Sequence, residues 1–201
     1  MCIAASRRVS TAIWAKSKHL FGAVANPSIG NSNPPQEFAS PMPPQDAALR
    51  QHLLDLLKGG NAHATLQEAI KDFPAEFRGK RPNGSPHSPW EILEHTRIAQ
   101  WDILEFSRNA KHESPKFPDG YWPHSPEPPD PKAWDRSVHT FCEDLENLCS
   151  LIADESADLY VQIPHGEGQT ILREALLTAD HNAYHLGQLV LLRRMLGAWN
   201  V

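Results

Sequence analysis

Ala179-Asp180-His181-Asn182-Ala183-Tyr184-His185-Leu186-Gly187-Gln188 is the stretch from which the rest of this chain is best read. Two histidines stand four residues apart inside a segment with the apolar spacing of a long amphipathic helix. On an α-helix, residues i and i+4 lie one above the other on the same face, so two imidazoles at that spacing reach one ion. Neutral imidazole is also the commonest metal ligand. The stripe Thr178, His181, His185, Gln188, Leu192 and Leu196, flanked by Ile171, Ala175 and Leu189, forms the core-facing side of this helix. Arg173, Arg193 and Arg194 are expected to turn elsewhere. Histidines on such a stripe need hydrogen-bonding neighbours or a metal, because an unsatisfied buried polar group costs ~1–3 kcal/mol.

Working outward, Thr170 is placed to cap this helix and Gly197 to stop it. A first helix opens near Asp46 with Leu49, Leu53, Leu56 and Leu57; Gly59-Gly60 interrupts it, and helical spacing resumes from Ala62 to Phe73. The second helix begins at Ser88-Pro89-Trp90-Glu91, where Ser88 and Glu91 make a capping box and proline suits the first turn. Its inward stripe reads Ile92, His95, Ala99, Asp102 or Ile103, and Phe106. A third helix is expected from Asp130-Pro131, carrying Trp134, Val138, Phe141, Leu145, Leu148 and Ile152. The Pro-rich connection from Asn109 to Asp130 is long for a compact domain, which suggests a lid or a disordered segment. Four amphipathic segments without strand-like alternation predict an all-α fold, a four-helix bundle.

Composition narrows the function. The 201 residues suit one domain with its own core, and a net charge of −5 argues against a broad nucleic-acid footprint. Residues 1–41 carry Arg7, Arg8, Lys16 and Lys18 against the single acid Glu37, leaving the remainder the more acidic. Lacking helical periodicity, they are expected to be a disordered or extraneous N-terminal segment outside the core, with the domain spanning residues 42–201. No run approaches the ~20 apolar residues of a membrane span. Cys2, Cys142 and Cys149 make no pairable framework. Cys142 and Cys149, a heptad apart, read as small core residues in a reducing, cytoplasmic compartment.

Within this frame His95 is the other histidine placed mid-helix on a clear core-facing stripe. One ligand from helix 2 and two from helix 4 make a His₃ set of His95, His181 and His185, which leaves coordination positions open as catalytic sites do. The pattern Trp90-Glu91-Ile92-Leu93-Glu94-His95 followed by His181-Asn182-Ala183-Tyr184-His185-Leu186-Gly187-Gln188 resembles the DinB-like/YfiT-like superfamily, over about residues 44–199. The resemblance implies a four-helix bundle, often dimeric, with a divalent metal on one helix-2 histidine and the HxxxH pair of the last helix. It also implies kinship with thiol-dependent S-transferases and isomerases that use low-molecular-weight thiols such as bacillithiol or mycothiol.

Three neutral imidazoles leave the full charge of a divalent ion, zinc or nickel, to acidify a bound water or thiol. Residue 182 is Asn rather than Glu, which argues against the HExxH arrangement of metalloproteases. Asp102, seven residues after His95, is the candidate catalytic carboxylate, as a ligand orienter or a base; a helix-surface carboxylate is the alternative. His63, Gln188 and Trp122 are candidates for a substrate pocket, whereas Tyr184 is assigned to bundle packing. The expected function is a metal-dependent transferase or hydrolase acting on a small molecule, as a homodimer. The alternative is a non-catalytic metal-binding stress or interaction protein.

Overall fold

The computed structural model describes residues 43–199, so the segment 1–41 lies outside the described residues. The described part is helical: α1 (Pro44–Lys58), the short α2 (Leu66–Ile70), α3 (Pro89–Arg108), α4 (Ala133–Ala153) and α5 (Ile171–Met195). Single 3-10 turns occur at Ala75–Phe77 and Asp119–Tyr121. Among the described residues the one β-bridge pairs Gln162 with Thr170 in the loop before α5.

The helix starts follow from local chemistry. At α3, the Ser88 hydroxyl accepts from the Glu91 amide while the Glu91 carboxylate accepts from the Ser88 amide, closing the capping box. Thr170 caps α5 by accepting from the Arg173 amide. Two boundaries differ from the sequence reading. The segment expected from Ala62 to Phe73 shrinks to α2, because Thr65 and Glu68 form a second capping box that starts the helix late. Gly59 and Gly60, at φ +70° and +85°, separate it from α1. Helix α4 begins at Ala133 rather than at Asp130-Pro131, because the Asp130 carboxylate takes the Lys132 amide and the Arg136 guanidinium in a turn ahead of the helix.

The four long helices pack in the cyclic order α1–α4–α3–α5, with α3 making the most extensive contacts, to α4 and α5. Two apolar clusters fill the bundle. One gathers Phe73, Trp90, Ile92, Leu93, Trp134, Leu189 and Leu192; the other gathers Leu53, Leu57, Leu104, Leu148, Ile152 and Ala175. On α3 and α5, the stretch between these clusters carries His95, Gln100, Asp102, His181, Asn182 and His185. The fold thus places a polar layer between two apolar clusters. Asn182 donates to the Gln100 carbonyl oxygen at 2.8 Å, and Gln100 donates to the Phe141 carbonyl at 2.7 Å, tying α5, α3 and α4 across that layer.

Arg193 does not turn outward. Its guanidinium is buried, donates to the Ala69 and Ala198 carbonyls at 2.8 Å each, and lies over the rings of Phe73 and Trp199. These carbonyls lack helical partners, and a rigid cation with several donors meets both at once.

Candidate metal centre

His95 from α3 and His181 and His185 from α5 come together inside the bundle, with one nitrogen of each within 4.8 Å of the others. That spread is wider than the ~4 Å expected of ligands around one zinc ion. Nε2 of His95 and Nε2 of His181 are 3.2 Å apart, within hydrogen-bond distance. The other ring nitrogens explain which atoms face inward. His95 donates its Nδ1–H to the Tyr121 carbonyl at 2.8 Å, and His185 donates its Nδ1–H to Oε1 of Gln188 at 2.9 Å. A neutral imidazole that donates through Nδ1 keeps its lone pair on Nε2.

Electrostatics keep these rings neutral. Burial, reinforced by repulsion from the neighbouring rings, lowers His181 to about 3. Burial likewise lowers His95 and His185 to about 4. His181 Nδ1 is buried and finds no hydrogen-bond partner among the described residues. In the metal-free chain the 3.2 Å contact suits a hydrogen bond from the His181 Nε2–H to the inward lone pair of His95, and with His185 beside them the three nitrogens form a set that could instead hold a cation. No carboxylate belongs to the set.

A flat aromatic lid covers one side. Trp122 stacks on His95, and His87 stacks on the far face of Trp122. The long 109–130 connection therefore lies against the centre, and its Tyr121 and Trp122 both touch His95. On another side, His185 lines a cavity of about 530 Å³ whose wall includes Leu57, Leu66, Leu93, Phe141 and Leu189.

The remaining expected site residues fall in different places. Gln188 holds His185 and does not line the cavity. Trp122 is a wall of the histidine cluster rather than of the cavity. His63 is exposed at the cavity lining and bonds to the adjacent Ala64 carbonyl, apart from the three histidines. Asp102 is no surface carboxylate: it is 2 % exposed and accepts from the Tyr121 hydroxyl and from His112 Nε2. Tyr184, assigned to packing, is 64 % exposed with its ring edge-on to His185. Cys142 and Cys149 are half-buried at the cavity wall, Cys149 also packing against the core cluster around Leu148 and Ile152, and burial pushes both thiols upward, away from the reactive thiolate.

Sequence reasoning missed His87, Tyr121 and His112. All three lie outside the long helices, where no periodicity marks an inward position.

The class is defined by a four-helix bundle whose interior polar layer gathers one histidine from one helix and an i,i+4 pair from another. The chain belongs to the DinB superfamily, whose profile matches residues 60–189. No curated protein matches it, and neither does any solved structure.

Proposed function

We propose that His95, His181 and His185 hold one divalent metal ion, zinc or nickel, in an enzyme that transfers a small thiol to an uncharged, largely apolar molecule. The observation that carries this reading is the gathering of three neutral imidazoles, one of which, His185, lines a partly open cavity with a mixed, mainly apolar wall. A cavity of about 530 Å³ is ample for a small molecule, and its aliphatic and aromatic side chains are interspersed with polar ones such as Thr96 and Asn182, the mixture that orients a ligand in such sites. When bound, the ion supplies positive charge that acidifies a coordinated thiol or water.

The chain's own residues divide the remaining work. Gln188 and the Tyr121 carbonyl fix the rings of His185 and His95. Trp122 shields His95 from water on one face. Leu93, Phe141 and Leu189 offer the substrate an apolar surface. Hydrolysis, the neighbouring reading, gains from a protein base near the attacking water. Among the described residues no hydrogen bond joins Asp102 to the three histidines, and both its oxygens already accept from other donors. A coordinated thiol would be deprotonated outright, whereas coordinated water would reach a pKa of only ~7, so a site without a free base suits the thiol better.

The two half-buried, unpaired cysteines support a reducing, cytoplasmic setting. No helix among the described residues is long and apolar enough to cross a membrane. The outward side of α5, with Leu176, Tyr184, Leu191 and Met195 exposed, supports a homodimer formed through this face.

The test is metal analysis of the purified protein, followed by assay of zinc- and nickel-loaded forms with low-molecular-weight thiols and small apolar electrophiles. Metal-dependent consumption of both is expected. Protein that binds neither metal overturns the proposal; metal binding without turnover leaves a metal-binding protein that is not an enzyme.

A further inference from the structure

Asp102 is an expensive residue to bury, yet it lies deep inside α3 rather than at the histidine cluster. Its Oδ2 accepts from the Tyr121 hydroxyl at 2.5 Å and its Oδ1 from His112 Nε2 at 2.7 Å. Both donors belong to the 109–130 connection, so one carboxylate anchors that loop at two points. Tyr121 then does two things. Its hydroxyl is held by Asp102, and its main-chain carbonyl accepts the Nδ1–H of His95 at 2.8 Å. Asp102 and His95 sit on the same rigid helix, seven residues apart, and Tyr121 bridges them.

We infer that Asp102 is a positioning residue, which acts through the Tyr121 hydroxyl to hold the carbonyl that sets the tautomer and orientation of His95. The physical reason is that a backbone carbonyl in an irregular loop has no ladder to fix it. The carbonyl orients an imidazole only if its own residue is immobilised, and Tyr121 is immobilised by burial and by a charge-assisted hydrogen bond. Partners one step removed from a metal ligand typically tune affinity by ~10–100-fold. The inference rests on the metal reading for its consequence but not for its geometry.

The experiment compares Tyr121→Phe, Asp102→Ala and Asp102→Asn with the unmodified full chain by two measurements. The first is zinc affinity, by competition with a chromogenic chelator. The second is the tautomer of His95 in metal-free protein, read from imidazole ¹⁵N shifts and assigned with His95→Gln. Tyr121→Phe removes one oxygen and keeps the buried ring, so it takes away the hydroxyl's bonds to Asp102 and Ser114 together, and the two Asp102 variants isolate the Asp102 share. Expected are a ~10–100-fold weaker zinc affinity in Tyr121→Phe and Asp102→Ala, and a His95 signal that moves from the pure Nδ1–H form to a mixture of tautomers. The double variant of Tyr121→Phe and Asp102→Ala should weaken zinc binding by less than the sum of the singles, since both remove the same Tyr121–Asp102 bond. Asp102→Asn should stay within about threefold of the unmodified affinity, because its amide oxygen still accepts from Tyr121 and His112 can switch tautomer to accept from its amide NH₂. A His95 tautomer unchanged in Tyr121→Phe overturns the inference, as does an Asp102→Asn defect equal to that of Asp102→Ala. Failure of the unmodified chain to bind zinc or nickel overturns the metal proposal instead, and the tautomer measurement still decides the positioning role.

Discussion

The indole of Trp122 lies flat on the imidazole of His95, with ring centroids 3.9 Å apart and planes within 1° of parallel. His87 stacks on the opposite face of the same indole at 4.1 Å, so three rings from two segments form one column at the edge of the centre. The column limits the freedom of His95 to rotate, while the Tyr121 carbonyl fixes which nitrogen it turns inward. Each stacked contact is worth ~0.5–1.5 kcal/mol beyond area burial. Trp122→Leu is therefore expected to destabilise the protein by about 1–3 kcal/mol, read as a lower urea midpoint, and to weaken zinc binding. An unchanged midpoint would show that the column contributes nothing.

His185→Ala removes one of three imidazoles from the centre and opens the cavity wall at the same point. Two remaining histidines hold a divalent ion poorly, so the variant should lose its stoichiometric metal and its turnover while keeping a helical circular-dichroism spectrum. Full activity in metal-free His185→Ala protein would refute the enzyme mechanism.

Acid should weaken the metal-free protein through these same rings. His95 and His185 sit at about 4 and His181 at about 3 in the folded chain, whereas an unfolded histidine titrates near ~6.5. Between those values the unfolded chain binds protons that the folded chain refuses, so folding stability rises with pH across that window. The contribution is complete above pH ~6.5 and is lost as pH falls toward 4, with the His181 share lost toward 3. The slope reaches at most ~1.4 kcal/mol per pH unit for each histidine. Urea titrations of metal-free protein at a series of pH values check this, with His181→Gln expected to flatten the curve.

Arg193 is a structural cation. Replacing it by methionine keeps the apolar stem but leaves the Ala69 and Ala198 carbonyls without their donor. A cost of roughly 2–4 kcal/mol is expected, measured by thermal or urea unfolding. A loss below ~0.5 kcal/mol, the range of ordinary surface substitutions, would mean that water replaces the guanidinium at no penalty.

A charge on the outer side of α5 tests the homodimer. Leu191 is exposed in the single chain, so Leu191→Glu should leave folding and zinc content intact while halving the mass seen by sedimentation. An unmodified protein that sediments as a monomer at high concentration would end that proposal.

What the sequence alone determined was set by helical periodicity and by local chemistry. The 3–4-residue spacing of apolar side chains fixes helices α3, α4 and α5. Hydroxyl caps at Ser88 and Thr170 satisfy backbone donors within three residues, so they are readable without any tertiary contact. The same periodicity placed His95, His181 and His185 on inward faces, because a helix face is a local property. Tertiary structure alone decided the rest. The column of His87, Trp122 and His95, and the link from Asp102 through Tyr121, depend on where an irregular loop crosses the bundle, and no repeat in the sequence encodes that path. Burial of Arg193 follows from carbonyls of α2 and the C-terminal turn that meet only once the helices pack. Spacing shows which way a side chain points along its own helix, but what it meets there is set by chain segments distant in sequence.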